Sequence, residues 1–114
     1  MTHLSVSNAL QKLGKVSDPF AELFTHGSLS IEIYKPVNKD LQQPHSRDEV
    51  YVIASGKGWF VNDTKRDAFE TGDVLFVAAG VPHRFESFSD DFSTWVLFYG
   101  PEGGEQKTQQ EHSS

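Results

Sequence analysis

The chain has 114 residues, a length that suits one domain with a single core, and its aromatic content of 12% indicates a globular protein. Ten Lys and Arg against sixteen Asp and Glu give a net charge of −6, which excludes broad attraction to phosphate backbones, so we expect no nucleic-acid partner. The absence of cysteine excludes disulfides and thiolate metal sites, and the lack of any run of ~20 apolar residues predicts a cytoplasmic protein without a membrane partner.

The N-terminal part of the chain predicts a peripheral arm. Leu10 and Leu13 lie three residues apart before Gly14, which is typical of a short helix over residues 8–15. From residue 20 onward, short apolar runs are separated by Gly, Pro, Asn and Asp, as in strands and turns. We therefore predict an arm and lead-in over residues 1–27, a β domain over residues 28–100, and a polar, flexible tail over residues 101–114.

Several short strands are predicted within the β domain. Leu29, Ile31 and Ile33 alternate with polar residues, which indicates a half-buried strand. Further apolar runs predict strands over residues 49–54, 59–61, 65–69, 74–78, 83–88 and 93–99. The turns between them suggest hairpins, and the nearly continuous apolar character of residues 74–78 predicts a strand that is buried on both faces. Seven or eight such strands predict an antiparallel sandwich or barrel.

Four residues form a candidate metal site. In an extended strand, residues two apart point the same way, so Gln43 and His45 are expected to share a face. A tight reversal over residues 46–48 would return Glu49 beside His45, and His83 follows a turn that could direct it into the same interior. Two imidazoles and one carboxylate suit one divalent ion of Fe, Mn, Ni or Zn, and a Gln oxygen can add a fourth ligand.

Each of these assignments has an alternative. His45, Glu49 and His83 could instead form a hydrogen-bonded polar cluster inside a barrel without metal, and Gln43 could bind a metal-bound water rather than the ion. Tyr51 lies two residues beyond Glu49 and should face inward, where it is a candidate for a hydrogen bond to substrate. The expected pocket wall around it consists of Phe60, Phe76, Phe85 and Trp95.

The spacing of these residues resembles the two motifs of the cupin superfamily. The first motif runs Gly, five residues, His-x-His, three or four residues, Glu, six residues, Gly, and His45, Glu49 and Gly56 keep its second half. Val37 stands where the opening Gly would be, and Gln43 stands where the first His would be. The resulting set of Gln, His, Glu and His is similar to that of the zinc-dependent mannose-6-phosphate isomerases, which are distant cupins.

The second cupin motif is also present in part. Gly72, Gly80 and His83 fall in register, whereas Ala78 replaces a Pro and Ser87 replaces an Asn. The resemblance covers residues 28–100 and implies a small single-domain protein of the cupin 2 type. Its expected fold is an antiparallel jelly-roll β-barrel with one metal bound inside.

The resemblance implies less about activity, because cupins include oxygenases, isomerases, lyases and proteins that are not enzymes. One hypothesis is a metal-dependent dioxygenase, isomerase or lyase that acts on a small molecule. The alternatives are a non-catalytic module that binds a small ligand or senses a metal, and a structural barrel whose polar interior is a relic. Small cupins commonly form homodimers, and the candidate interface residues are Phe88, Phe92 and Trp95.

Overall fold

A computed structural model describes residues 2–40 and 42–106, so most of the predicted tail lies outside the described residues. The arm contains one helix, α1 (Val6–Leu13), whose N-terminus is capped by the Ser5 hydroxyl, which accepts a hydrogen bond from the Asn8 amide. Two of its residues, Ala9 and Leu13, are buried against the β domain. No helix in the described part of the chain is long and apolar enough to cross a membrane.

Eight strands follow the helix, and they confirm the all-β prediction. The strands are β1 (Phe20–His26), β2 (Leu29–Tyr34), β3 (Asp48–Ser55), β4 (Lys57–Asn62), β5 (Lys65–Glu70), β6 (Val74–Val77), β7 (His83–Glu86) and β8 (Ser93–Tyr99). They form two antiparallel sheets, one in the order β1-β2-β8-β3-β6 and one in the order β5-β4-β7. The fold is an antiparallel jelly-roll β-barrel with a short N-terminal arm.

The connections between strands differ in part from the predicted hairpins. β4 and β5 do form a hairpin, in which Asn62 pairs with Lys65. β3 and β4 do not, because the chain crosses from one sheet to the other at Gly56. Gly56 has a φ of +87°, and a Cβ there would lie 2.6 Å from the Phe92 Cα. Only glycine fits this crossing.

Strand β1 extends the sheet beyond the predicted start of the β domain. It lies within the segment that was predicted as a lead-in, and Phe20 pairs with Tyr34 of β2. Helix α1 packs on this edge of the sheet, over a small cluster that includes Ala21 and Ile33. The sheet therefore begins at residue 20, and the outer face near β1 and β2 is covered by the arm.

The prediction that β6 is buried on both faces is wrong. Val74 is 64% exposed and Phe76 is 51% exposed. Phe76 pairs with Val50, whereas Val77 pairs with the buried Glu49, so Phe76 points away from the barrel interior. Successive strand residues face opposite sides, so only one face of β6, an edge strand, is turned toward the barrel interior.

The core between the two sheets is aromatic, as expected, but its members differ from the predicted pocket wall. Phe60 and Phe85 are buried there with Tyr51, whereas Phe76 and Trp95 lie on the outer face and are not part of the wall. Phe92, a predicted interface residue, is only 1% exposed. Its ring packs on Phe85 at a centroid distance of 4.7 Å, so Phe92 is not an interface residue of this fold.

Candidate metal centre

Glu49 is a buried acid on the inner face of β3. Its side chain is 1% exposed, and its strand neighbours across the ladder are Val77 and Phe98. Strand alternation directs Glu49 and Tyr51 to the inside together. Burial of a carboxylate costs free energy unless a partner compensates for its lost hydration, so the surroundings of Glu49 indicate what it binds.

His83 faces Glu49 from the opposite sheet. It is the first residue of β7, its side chain is 0% exposed, and its Nε2 lies 2.8 Å from Glu49 Oε1. The other ring nitrogen, Nδ1, lies 2.8 Å from the carbonyl oxygen of Val81. A hydrogen bond from Nδ1 to a backbone carbonyl holds the ring in place and leaves Nε2 as the nitrogen directed at the site.

His45 completes the cluster from an irregular segment. Its Nε2 lies 4.0 Å from Glu49 Oε2, and its side chain is 35% exposed. The ring packs edge-on against Phe98 at a centroid distance of 4.8 Å. The Gly80 amide donates to the His45 carbonyl at 2.7 Å, which ties this segment to the turn before β7.

The three side chains fit a divalent metal ion. One ligand atom from each of His45, Glu49 and His83 lies within 4.8 Å of the others. Within the described chain, both Glu49 carboxylate oxygens and His83 Nε2 are buried without an assigned hydrogen-bond partner, although Nε2 and Oε1 lie only 2.8 Å apart. Buried polar atoms rarely stay unpaired in native proteins, and a cation among these donors would satisfy all of them.

The pKa of His83 reflects the negative charge of the neighbouring Glu49 carboxylate. Burial by itself lowers the pKa of His83, but contact with the Glu49 carboxylate and with the Val81 carbonyl outweighs burial, so the pKa is raised above its ordinary value. A positive charge on the imidazole is therefore favoured at this position. The same carboxylate would favour a metal cation in its place.

Tyr51 lies beside the cluster inside the barrel. It is 0% exposed, and its ring centroid is 6.0 Å from that of His83. Burial, and then the negative charge of Glu49, raise the pKa of Tyr51 well above its ordinary value. The phenol therefore keeps its proton, which it donates to Gln42 Oε1 at 3.3 Å.

The amide that contacts the cluster is that of Gln42, one residue before the predicted position. Gln42 Oε1 lies 3.2 Å from His45 Nε2. Gln43 is exposed, and its side chain makes no hydrogen bond in the described part of the chain. The predicted strand that was to place Gln43 and His45 on one face is not present, because residues 42–45 form no strand and β3 begins only at Asp48.

Little in the sequence pointed to Gln42. The argument that paired Gln43 with His45 depended on the two-residue period of a strand, and that period does not apply to an irregular segment. One weak signal is Asp40, which stands two residues before Gln42, because Asp side chains often hydrogen-bond to groups two residues further on. Asp40 does accept hydrogen bonds from the Gln42 backbone and side chain.

An open groove of about 770 Å³ adjoins this cluster, between helix α1 and the segment that precedes β3. Gln42 lines the groove and also contacts His45, so the groove reaches the edge of the cluster. Most of its wall is apolar, and the residues that line it include Leu10, Leu13, Phe20, Tyr34, Val37 and Lys39. A small molecule that occupies the groove would lie next to Gln42.

Comparison with known proteins gives one family. Residues 30–99 match the family model described as a cupin domain. An uncharacterized protein of Streptomyces coelicolor is 38% identical over 63 residues, which cover 55% of this chain and 60% of that protein. The chain therefore matches less than two thirds of that relative's length.

Solved structures share the fold at low sequence identity. KdgF of a Halomonas species gives a TM-score of 0.64 at 14% identity, over 73% of this chain and 78% of that one. The DMSP lyase DddQ of Ruegeria pomeroyi DSS-3 gives a TM-score of 0.62 at 23% identity, over 71% of this chain and 46% of that one. At these identities the likeness concerns the fold alone.

Proposed function

Because this chain belongs to the cupin family, we propose that it is a metal-dependent enzyme in which His45, Glu49 and His83 hold one divalent ion inside the barrel. The observation that carries the proposal is the set of buried donor atoms without hydrogen bonds, Glu49 Oε1 and Oε2 and His83 Nε2. A carboxylate buried in a largely apolar core needs compensating charge, and a divalent cation would supply it to both Glu49 oxygens and also bind His83 Nε2.

The residues around the site have separate tasks in this proposal. Glu49 supplies the negative charge, and His83 is held with its Nε2 toward that carboxylate by the Val81 carbonyl. His45 is the ligand nearest to solvent, since its side chain is 35% exposed. A bound ion supplies Lewis acidity, or oxygen activation if it is iron. The partly buried ring of Phe98 beside His45 helps to limit water on the barrel side.

The substrate is proposed to be a small molecule that enters along the groove beside Gln42. The lining is apolar around most of the groove, and its charged residues are Lys35, Lys39 and Asp18. Lyase or isomerase chemistry, which needs only a Lewis acid, is the first candidate, and one protein with this fold is the DMSP lyase of Ruegeria pomeroyi. With iron, two imidazoles and one carboxylate are also the ligand set of non-haem oxygenases, which makes dioxygenase chemistry the next candidate.

The same geometry also fits a non-catalytic module that binds a metal or a small ligand. The observation in favour of this second function is the state of Tyr51, the residue that the sequence indicated as a candidate for a hydrogen bond to substrate. Its proton is already donated to Gln42 Oε1, and its raised pKa holds that proton in place. In a module of this kind, Tyr51 would be a structural donor and the barrel would bind without turnover.

The test of the first proposal is metal analysis of protein purified without an affinity tag or chelator. We expect one equivalent of Fe, Mn, Ni or Zn per chain, either as purified or after reconstitution. Absence of stoichiometric metal after reconstitution with each ion would refute the metal-site proposal. Oxygen uptake and lyase screens with the loaded protein then separate the enzyme from the binding module, because the module binds ligand without consuming it.

We also propose that the chain forms a homodimer through the outer face of the five-stranded sheet. Apart from the part under α1, where Trp95 packs, this face carries apolar residues from four strands, namely Ile31, Val50, Val52, Val74, Phe76 and Leu97. Phe76 and Val74 are the most exposed of them. Such a contiguous apolar face is typical of an interface, and an identical face on a second copy would complement it.

Light scattering after size exclusion tests the dimer with a matched pair of variants. Phe76→Glu places a charge on the exposed edge of the apolar face and is expected to give monomers. Val37→Glu is the control, because Val37 is 75% exposed and lies away from this sheet in the segment before β3. A monomeric wild type, or a Phe76→Glu protein that stays dimeric, would rule out this interface.

A further inference from the structure

Asp40 is a buried carboxylate outside the proposed ligand set, and both of its oxygens accept hydrogen bonds. It is 8% exposed. Oδ1 accepts from the Tyr34 hydroxyl at 2.5 Å and from the Gln42 amide nitrogen at 3.1 Å. Oδ2 accepts from Gln42 Nε2 at 2.9 Å and from the Phe85 amide nitrogen at 2.9 Å. Asp40 is thereby fixed between β2, β7 and the irregular segment.

This carboxylate decides which way the Gln42 amide points. An ionised carboxylate only accepts hydrogen bonds, so the atom of the Gln42 side chain that faces Asp40 must be the NH₂ group. The carbonyl oxygen Oε1 is then directed at the cluster, where it accepts from the Tyr51 hydroxyl at 3.3 Å and lies 3.2 Å from His45 Nε2. The orientation of the amide follows from chemistry, without reference to any ion.

The spacing of Gln42 Oε1 and His45 Nε2 matches that of two ligands on one ion. Donor atoms that each lie about 2.1 Å from the same ion are about 3.0 to 3.4 Å apart in octahedral or tetrahedral shells. The observed distance of 3.2 Å falls within that interval. An amide oxygen is a neutral, hard donor, which suits Mn and Fe and is acceptable to Zn.

We infer that Gln42 supplies a fourth ligand to the metal through Oε1, and that Asp40 is the positioning residue that orients this oxygen. The inference rests on the proposed function, since it adds a residue to the same metal site. It also replaces Gln43, which the sequence motif indicated. The ligand set then consists of two imidazole nitrogens, one carboxylate and one amide oxygen, from His45, His83, Glu49 and Gln42.

The two adjacent glutamines provide the test. Zn²⁺ and Co²⁺ affinities of the wild type, Gln42→Ala and Gln43→Ala are measured by competition with a chromophoric chelator. We expect Gln42→Ala to weaken binding roughly 10- to 100-fold, the range found when groups that support a metal site are removed. Gln43→Ala should retain wild-type affinity, because that side chain is exposed. The visible spectrum of bound Co²⁺ should change in Gln42→Ala and stay the same in Gln43→Ala.

Asp40→Asn tests the positioning role. An Asn side chain can face Gln42 with either its oxygen or its NH₂ group, so the Gln42 amide loses its fixed orientation. We expect about a 10-fold loss of affinity and a heterogeneous Co²⁺ spectrum, which a purely structural role of Asp40 would not produce. Thermal melting of the metal-free variants shows whether each is folded, and if Asp40→Asn is not, the glutamine pair still decides the ligand assignment.

The possible outcomes separate this inference from the proposed function. If the wild type binds the ion and Gln42→Ala binds it equally well with an unchanged Co²⁺ spectrum, Gln42 is not a ligand and only this inference fails. If Gln43→Ala alone loses affinity, the motif position is the ligand and the inference is overturned. If the wild type itself binds neither ion, the metal-site proposal fails and the inference fails with it.

Discussion

The proposed metal centre joins a half built on regular strands to a half built on an irregular segment. Glu49 on β3 and His83 on β7 have side chains that are 1% and 0% exposed. His45 and Gln42 come from the segment before β3, where the described residues form no strand, and the His45 side chain is 35% exposed. One site therefore combines two very different local environments.

This difference separates the residues that are fixed by the fold from those that are held by a few contacts. Ladder hydrogen bonds position Glu49 and the backbone of His83. The irregular half depends on the Gly80 amide, which donates to the His45 carbonyl, and on Asp40, which holds Gln42. We expect the strand half to determine whether an ion binds at all and the irregular half to tune its affinity.

The largest effect is expected from Glu49→Gln. This substitution keeps the size of the side chain but removes the only negative charge in the proposed shell. Because the position is buried, water cannot easily take the place of the lost ligand. Affinity for Zn²⁺ or Mn²⁺, measured by calorimetry, should fall on the order of 100-fold or more.

Glu86→Gln is the matched control for this prediction. Glu86 lies three residues beyond His83 on the same strand, but its carboxylate pairs with Arg66 and Arg84 on the surface. Binding in Glu86→Gln should equal that of the wild type. Undiminished binding in Glu49→Gln would mean that the buried carboxylate has another purpose.

A smaller effect is expected from His45→Ala. Its ring lies at the exposed side of the cluster, where a water molecule can take the vacated position, so the loss of affinity should be roughly 10- to 100-fold and less than that of Glu49→Gln. Calorimetry on the two variants side by side gives the ranking. If His45→Ala lost more affinity than Glu49→Gln, the strand half would not be the one that determines whether an ion binds.

The same division explains what the sequence could predict. Glu49 and Tyr51 were placed on the inner face by the two-residue period of β3, and the structure confirms that both are buried. The motif register also placed His83 at the start of a strand, where it meets Glu49. In a regular strand the two-residue period of the sequence predicts which face each side chain takes, so these positions could be predicted without knowing which strands pair.

Two positions show what the sequence pattern does not determine. Gln43 was predicted to share a face with His45 because a strand was assumed there, but residues 42–45 form no strand, and side-chain hydrogen bonds such as those of Asp40 orient groups in that segment. Phe76 was predicted to face inward because the continuous apolar run of β6 does not indicate which of its alternating residues face the interior. That choice depends on the pairing of Phe76 with Val50, which is a tertiary fact.

Hydrogen exchange should reveal the two halves directly. Without metal, amides of β3 and β7 are expected to exchange slowly because they lie in ladders, whereas those of residues 42–46 should exchange fast. Addition of the ion should slow exchange in residues 42–46 and at Gly80 by roughly tenfold, with little change in β3. Equal protection of both segments before metal is added would contradict the comparison.

The smallest effect concerns the strand half alone, in the metal-free protein. Contact with Glu49 raises the pKa of His83 in the folded state despite its burial. The stability that this contact contributes is therefore fully present below the ordinary His pKa of about 6.5, and it is lost as the pH rises through the higher folded-state value. Urea unfolding of the wild type and of His83→Gln, in the presence of chelator, isolates this contribution. The difference in unfolding free energy should shrink as the pH rises from 6 to 8, because the neutral imidazole no longer attracts the carboxylate. A difference that does not change with pH would show that the pKa of His83 is the same in the folded and unfolded protein, and that the strand half lacks the preference for positive charge on which the metal proposal draws.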